Sequence, residues 1–300
     1  MWLLLMVAVV PLFVSGGAED LGFRVSPAGR LAAAVLSSAL AVILTGAWIG
    51  HTGLYALDPL FAWSPFAVVI TVVAAATISH AFNLIDGLNG LSGSTAVLAS
   101  GGIAATAFLV GDTEIAMMGV LLAAATMGFL VLNFPSGKIF LGDAGAYTLG
   151  FLLAWMGIAL ISRNPDVAPI SVVMIMFWPL ADLSLAIYRR YRCNLPVSHP
   201  DRLHFHQIVM RGLEICVLGR GRRSVANPMA TLVLLPLIAT PVVLGVLMHD
   251  LPRLSFVALV ACLAAFFGIY GLGMRLATSR ARSSLMSSLT APRGRAWGRA

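Results

Sequence analysis

The 300-residue sequence predicts an all-α fold: a polytopic bundle of about nine transmembrane helices with its polar chemistry at the cytoplasmic face. Three observations carry that prediction. The chain is 59% hydrophobic, with a mean hydropathy of +0.94. Only 10% of its residues are charged, where a soluble domain carries about a quarter. Its apolar residues also fall into runs long enough, or nearly so, to cross a bilayer, where only helices and closed barrels satisfy their own backbone.

The runs lie at about 1–15, 29–46, 64–82, 94–110, 115–133, 146–161, 169–187, 228–248 and 253–275. Flanking residues complete those shorter than ~20 residues. The first run, MWLLLMVAVVPLFVSGGA, lacks the positive n-region of a signal peptide and is read as a span. No polar stretch is long enough for a separate soluble domain. Residues 1–277 are therefore read as one transmembrane domain, and the Arg/Ser-rich residues 278–300 as a basic, disordered cytoplasmic tail.

Charge sets the orientation. The net charge is +7, and alternating the spans leaves only Arg163 and Arg253, of 19 Lys and Arg, on one side. The other side is then cytoplasmic, with the N-terminus outside and the C-terminus inside. Arginines in short loops and a tail suit anionic lipid. They do not make the basic face on a soluble fold that nucleic acid requires, so no nucleic-acid partner is expected. Cys193, Cys216 and Cys262 show no metal-binding spacing, and a disulfide is not expected in a cytoplasmic loop.

Polar residues are scarce, so their positions inform. Glu19 and Asp20 form a carboxylate pair beside the membrane. Such a pair can hold a divalent cation or take up a proton, or be a plain solvated loop pair. In HAFNLIDGLNGLSGS, residues 80–94, Asn83, Asp86 and Asn89 are spaced by three and would line one face of a helix. Gly87, Gly90 and Gly93 would let backbone approach a ligand. In FLGDAGAYTLGF, residues 140–151, Asp143 sits where a span begins. Free N–H groups at a helix start attract phosphate, and a carboxylate there calls for a bridging cation such as Mg²⁺; the plain alternative is a helix cap. In RRYRCNLPVSHPDRLHFHQ, residues 189–207, arginines can clamp phosphate, and His204 and His206 can donate to phosphate or sugar. A zinc site there is poorly matched, with no Cys beside the histidines. Asp182, inside a span, is expected either to pair with a nearby arginine or to act in function. Together these groups suit a cation-assisted reaction on a polyanionic phosphate at a lipid surface.

The motifs NLIDGLNGL, FLGDAGAYTLGF and PDRLHFH, in that order on one face, resemble those of the polyprenyl-phosphate N-acetylhexosamine-1-phosphate transferases. That family includes the bacterial UDP-GlcNAc:undecaprenyl-phosphate enzyme and phospho-MurNAc-pentapeptide translocase. The resemblance covers about Val14 to Met248, and the His-containing loop is more similar to the UDP-GlcNAc branch. It implies a Mg²⁺-dependent enzyme (Mn²⁺ being an alternative) at the cytoplasmic face of the bacterial inner membrane. The enzyme transfers an N-acetylhexosamine 1-phosphate from a UDP-sugar to undecaprenyl phosphate and releases UMP. UDP-GlcNAc is the expected donor, with UDP-GalNAc, UDP-QuiNAc and UDP-FucNAc open. The product would initiate a cell-envelope polysaccharide such as O-antigen, and a homodimer is compatible with the resemblance.

Carried over position by position, Asp143 matches the family's Mg²⁺ ligand. Glu19 and Asp20 match its Asp-Asp pair, and Asn83, Asp86 and Asn89 match its nucleotide-binding stretch. Arg202, His204 and His206 match the loop that meets phosphates and sugar. The implied catalytic group is Glu19, Asp20, Asp86 and Asp143. Glu19 stands where the family has Asp, Asn89 where many members have Asp, and Gln207 where the branch has a further His. The chain is also a pair of N-terminal helices short of the family pattern. Two other readings stand beside this one: a non-catalytic member that binds the lipid carrier, and a membrane transporter.

Overall fold

The computed structural model describes residues 1–194, 203–219 and 221–290, with side chains to Arg275. Among the described residues every regular element is helical. The first span is a bent pair, α1 (Trp2–Ala8) and α2 (Val10–Asp20), turned by 50°. Next come α3 (Pro27–Thr45), the short α4 (Asp58–Phe61), α5 (Ser64–Ile85), α6 (Leu91–Leu109), α7 (Thr113–Asn133) and α8 (Gly142–Arg163). A second bent pair, α9 (Pro169–Ile175) and α10 (Phe177–Arg192), turns by 80°. The chain closes with α11 (Phe205–Leu213), α12 (Arg223–Leu247) and α13 (Pro252–Thr290). Seven of these helices are long and apolar enough to cross a membrane, or nine spans if each bent pair is one. That agrees with the nine apolar runs. α13 continues to Thr290, into the segment the sequence assigns to the tail.

Local chemistry explains the ends. α3 starts at Ser26, whose hydroxyl accepts from Gly29 N–H at 3.1 Å, and Pro27 follows with its φ already suited to a helix. α7 starts at Asp112, whose carboxylate accepts from Ile115 N–H at 3.1 Å. α12 keeps its helical path through Pro228, Pro236 and Pro241, as membrane helices tolerate.

The core is built around α8. Of its most apolar stretch, 83% is buried, against 6% for α13, so α8 is the axis and α13 the periphery. Small residues bring the backbones together, as expected where lipid gives no hydrophobic drive between helices. A Cβ on Gly150 would lie 2.7 Å from Ser79 Cα, so α5 and α8 touch almost backbone to backbone there. Outward, Ile43, Phe108 and Val131 are exposed and suit lipid contact.

The helix directions place the ends of α2, α5, α7 and α10 and the starts of α3, α6, α8 and α12 on one side. Arg163 and Arg253 fall at the opposite ends of α8 and α13. This is the arrangement the charge pattern predicts. With the three native cysteines replaced, Ser136→Cys should resist an impermeant thiol reagent in intact cells, and Thr113→Cys should be labelled. Labelling of Ser136→Cys from outside would reverse the orientation.

Candidate active site

Four sequence-predicted carboxylates meet at the N-terminal end of α8. Gly142 opens the helix at φ 69°, and a Cβ there would lie 2.7 Å from Asp20 Oδ2, so only glycine fits. The opening exposes the next two N–H groups to Asp20. Asp143 N–H donates to Asp20 Oδ1 at 2.8 Å, and Ala144 N–H donates to Asp20 Oδ2 at 3.0 Å. Asp20, at the last position of α2, thus caps a helix 123 residues away in sequence. Gly16 makes the approach possible, since a Cβ on it would sit 2.6 Å from Ala144 N. The sequence suggested N–H groups free to attract phosphate; instead a fixed carboxylate fills those of Asp143 and Ala144. Asp143 is not the cap either, because it occupies the second position of the helix with its side chain turned elsewhere.

Asp143 Oδ1 accepts from Asn83 Nδ2 at 2.8 Å, which ties α8 to α5. Its Oδ2 lies 3.7 Å from Arg30 Nη1, too far for a hydrogen bond. Arg30 donates instead to both oxygens of Glu19, at 2.9 Å each. Glu19 and Asp20 are the last turn of α2 rather than a loop, and they face different partners: Glu19 the guanidinium, Asp20 the helix start. Arg30, which sequence reasoning used only for orientation, is the cation of the site. One turn along α8, Tyr147 meets His80 edge to face at 5.1 Å.

Asn83, Asp86 and Asn89 do not share a helix face. α5 ends at Ile85, Asp86 is the residue that stops it, and Asn89 lies in the turn beyond. Asp86 is pushed up to about 6, first by burial and then by the nearby Asp143 and Asp20 carboxylates. Asn89 is used structurally. Its Nδ2 donates to Pro135 O at 2.8 Å, its N–H donates to Asn227 Oδ1 at 2.7 Å, and its carbonyl accepts from Thr231 Oγ1 at 2.8 Å. Asn133 completes the brace by accepting from Gly90 N–H at 2.6 Å. Side chains of Phe134 and Leu130 fill the space at Gly90 and Gly93, so those glycines serve packing rather than a ligand. Asn133 and Asn227 were not singled out from the sequence. A lone amide at a helix end carries no sequence signal of a partner so far along the chain.

His204 and His206 are buried on the start of α11, and among the described residues Asp182 pairs with them rather than with an arginine. Its Oδ2 lies 3.0 Å from His206 Nδ1 and 3.5 Å from His204 Nδ1. Arg202 lies outside the described residues. Of the arginines predicted for this loop, Arg189 donates to Tyr270 Oη at 2.9 Å and to the carbonyl of Leu203.

The model of glycosyl transferase family 4 matches residues 2–161, more than half of the chain. The chain belongs to that family. The match contains Glu19, Asn83, Asp86 and Asp143 together with Asp20. Among similar curated proteins is a probable undecaprenyl-phosphate N-acetylglucosaminyl 1-phosphate transferase of Bacillus subtilis. It is 31% identical over 176 residues, which cover 58% of this chain and 49% of that protein. The undecaprenyl-phosphate α-N-acetylglucosaminyl 1-phosphate transferase of Escherichia coli K12 is 30% identical over 223 residues, 73% of this chain and 58% of its own length. That of Yersinia pestis is 28% identical over 213 residues, 69% and 58% of the two chains. The chain thus spans roughly half of the length of the curated relatives it matches. With its apolar helices, this glycosyl transferase family 4 member is a multi-pass membrane protein.

The Asp86 shift has a consequence for stability. A carboxyl at about 6 when folded and near its ordinary 3.8 when unfolded binds more protons in the folded state between those values. Its contribution therefore weakens stability as pH rises from about 4 to 6 and is constant above. In a chelator-containing buffer, Asp86→Asn should gain on wild type across that window, by about 1–3 kcal/mol in all. A difference independent of pH would mean that Asp86 titrates normally.

Proposed function

We propose that this chain transfers an N-acetylhexosamine 1-phosphate from a UDP-sugar, with UDP-GlcNAc first among donors, to undecaprenyl phosphate. UMP is the leaving product, and the lipid-linked sugar starts a cell-envelope polysaccharide at the bacterial inner membrane. One observation carries the reading: the carboxylates of Glu19, Asp20, Asp86 and Asp143 gather with Arg30 at one end of the bundle, beside an apolar rim. Leu21 is 80% exposed, Phe23 66% and Phe140 76%, next to Asp20 and Gly142. A lipid-borne phosphate entering from the membrane would meet apolar surface and polar groups together. The names of the relatives support the same chemistry.

The donor set suits Mg²⁺. It is all oxygen and outweighs the charge of Arg30, and among the described residues Asn83 bonds only Oδ1 of Asp143 while Arg30 Nη1 stays 3.7 Å from Oδ2. Among the described residues no three His, Cys, Asp or Glu side chains converge enough to hold a metal alone. Asp143 would therefore share the ion with substrate phosphates and water, which is how Mg²⁺ is commonly held. When bound, the ion supplies Lewis-acid neutralisation of the diphosphate charge.

The residues of the chain do the rest. Asn83 and the Asp20 cap hold Asp143 in place from two sides. Asp86, with a carboxyl near 6, exchanges a proton readily with a phosphate monoester, whose second pKa is also about 6. An oxygen of the lipid phosphate then attacks the β-phosphorus of the donor. The bond from that phosphorus to the bridging oxygen breaks, and the electron pair leaves with UMP. Glu19 keeps Arg30 at the edge of the site, where its guanidinium faces incoming phosphate.

The test is transfer by purified protein with Mg²⁺, undecaprenyl phosphate and a panel of labelled UDP-sugars, reading UMP and labelled lipid. Wild type should form both products. Asp143→Asn should lower turnover by several orders of magnitude at about 1.4 kcal/mol per tenfold. It should stay folded, because the amide oxygen still accepts from Asn83. Near-normal product from Asp143→Asn would reduce Asp143 to a structural residue.

A further inference from the structure

Asp182 lies within α10, fully buried, and the chemistry proposed above does not use it. A carboxylate inside apolar packing is costly unless its lone pairs are filled. Here one short segment fills them. Phe205 N–H donates to Oδ1 at 3.0 Å, and His206 Nδ1 lies 3.0 Å from Oδ2. His204 reaches the same Oδ2 only to 3.5 Å, and its ring stacks on His206 at 5.5 Å and 11°, which holds the plane of that ring.

The pairing fixes one hydrogen. A carboxylate only accepts, so the hydrogen between the two groups sits on Nδ1, and a ring with that single hydrogen has a bare lone pair on Nε2. That Nε2 is buried and has no hydrogen-bond partner among the described residues. It rests instead against Gly87, where an added Cβ would lie 2.8 Å away. A hydrogen on Nε2 would extend about 1 Å into the same gap. Gly87 follows Asp86 directly, and its N–H closes the turn onto Ile85 O at 2.8 Å. The edge of the His206 ring therefore backs the turn that carries Asp86.

We propose that Asp182 is a positioning residue for transfer: it holds His206 with Nδ1 protonated, so that the bare Nε2 edge seats against Gly87 and fixes the Asp86 turn. The functional part of this rests on the transferase reading; the tautomer part does not. Asp182→Asn tests it almost isosterically. The Phe205 N–H still needs an acceptor, so the amide oxygen faces it and the NH₂ faces His206. The imidazole must then accept on Nδ1 and carry its hydrogen on Nε2, against Gly87.

The experiment uses the full chain in nanodiscs with ¹⁵N-labelled histidine, with His206 assigned by its absence in His206→Asn. Wild type should show His206 protonated at Nδ1, and Asp182→Asn should move the hydrogen to Nε2. The same variant should lose about 100-fold in kcat/KM for the UDP-sugar, the scale of a small misplacement near reacting groups. Gly87→Ala, whose backbone φ any residue can adopt, should lose activity similarly by pushing on Nε2. In a His206→Asn background, Asp182→Asn should cost little more. Wild-type His206 protonated at Nε2, an unchanged tautomer in Asp182→Asn, or transfer by that variant within twofold of wild type would each overturn the proposal. Wild type inactive on every UDP-sugar would sink the transferase reading, while the tautomer result would still decide the Asp182–His206 pairing.

Discussion

The site depends on one carboxylate placed on one helix end. Asp20 fills the two N–H groups that α8 presents at its start, at 2.8 and 3.0 Å. The negative charge also lies at the positive end of the helix dipole. Because α8 is the most buried of the seven single-helix spans, this contact fixes the end of α2 to the axis of the protein. Everything else in the site is referred to it. Asp143 is the residue whose N–H is taken, Glu19 is the neighbour of Asp20, and Arg30 is anchored by Glu19. The space that Gly16 and Gly142 leave for the contact admits no side chain at either position.

The two ends of the bundle treat charge differently. At the far end, Asp112 and Glu114 both pair with Arg163, at 3.1 and 2.8 Å, and Asp112 also caps α7. That cluster satisfies itself and braces the loop between α6 and α7 against α8. At the end where α8 begins, Arg30 is committed to Glu19, and Asp86 and Asp143 keep negative charge close together. Burial first, and then the nearby Asp143 and Asp20 carboxylates, raise Asp86. Unbalanced negative charge at a lipid edge is what a cation-bridged phosphate would relieve.

The bundle was legible in the sequence because the membrane imposes it: each apolar run had to become a helix of spanning length, and charge fixed which ends lie together. The two bends had a local mark that the run-by-run reading passed over: Pro11 and Pro179 stand in the first turns of α2 and α10, where each lacks the N–H that would continue the preceding helix. Asp143, Asn83, Asp86 and the Glu19–Asp20 pair stood out through their motifs, and the fold brings them to one end. Their partnerships were hidden. Asp20 on the α8 backbone, Arg30 on Glu19, Asn227 on Asn89 and Asp182 on His206 are contacts between helices distant in sequence, and no local spacing encodes them. The three-residue spacing of Asn83, Asp86 and Asn89 misled because the helix stops at Asp86. The glycines after it follow packing, with Phe134, Leu130 and His206 filling their flanks.

The claim that organises this account is that Asp20 holds α8 rather than a ligand, and thermal unfolding of Asp20→Asn in nanodiscs without metal or substrate tests it most directly. The amide would keep one acceptor and turn a donor toward a backbone N–H, losing one charge-assisted hydrogen bond and opposing another. The expected cost is about 1.5–3 kcal/mol, seen as a fall in Tm of several degrees in the ligand-free protein. An unchanged or raised Tm, with transfer lost, would show that Asp20 serves metal or substrate and that α8 stands without it.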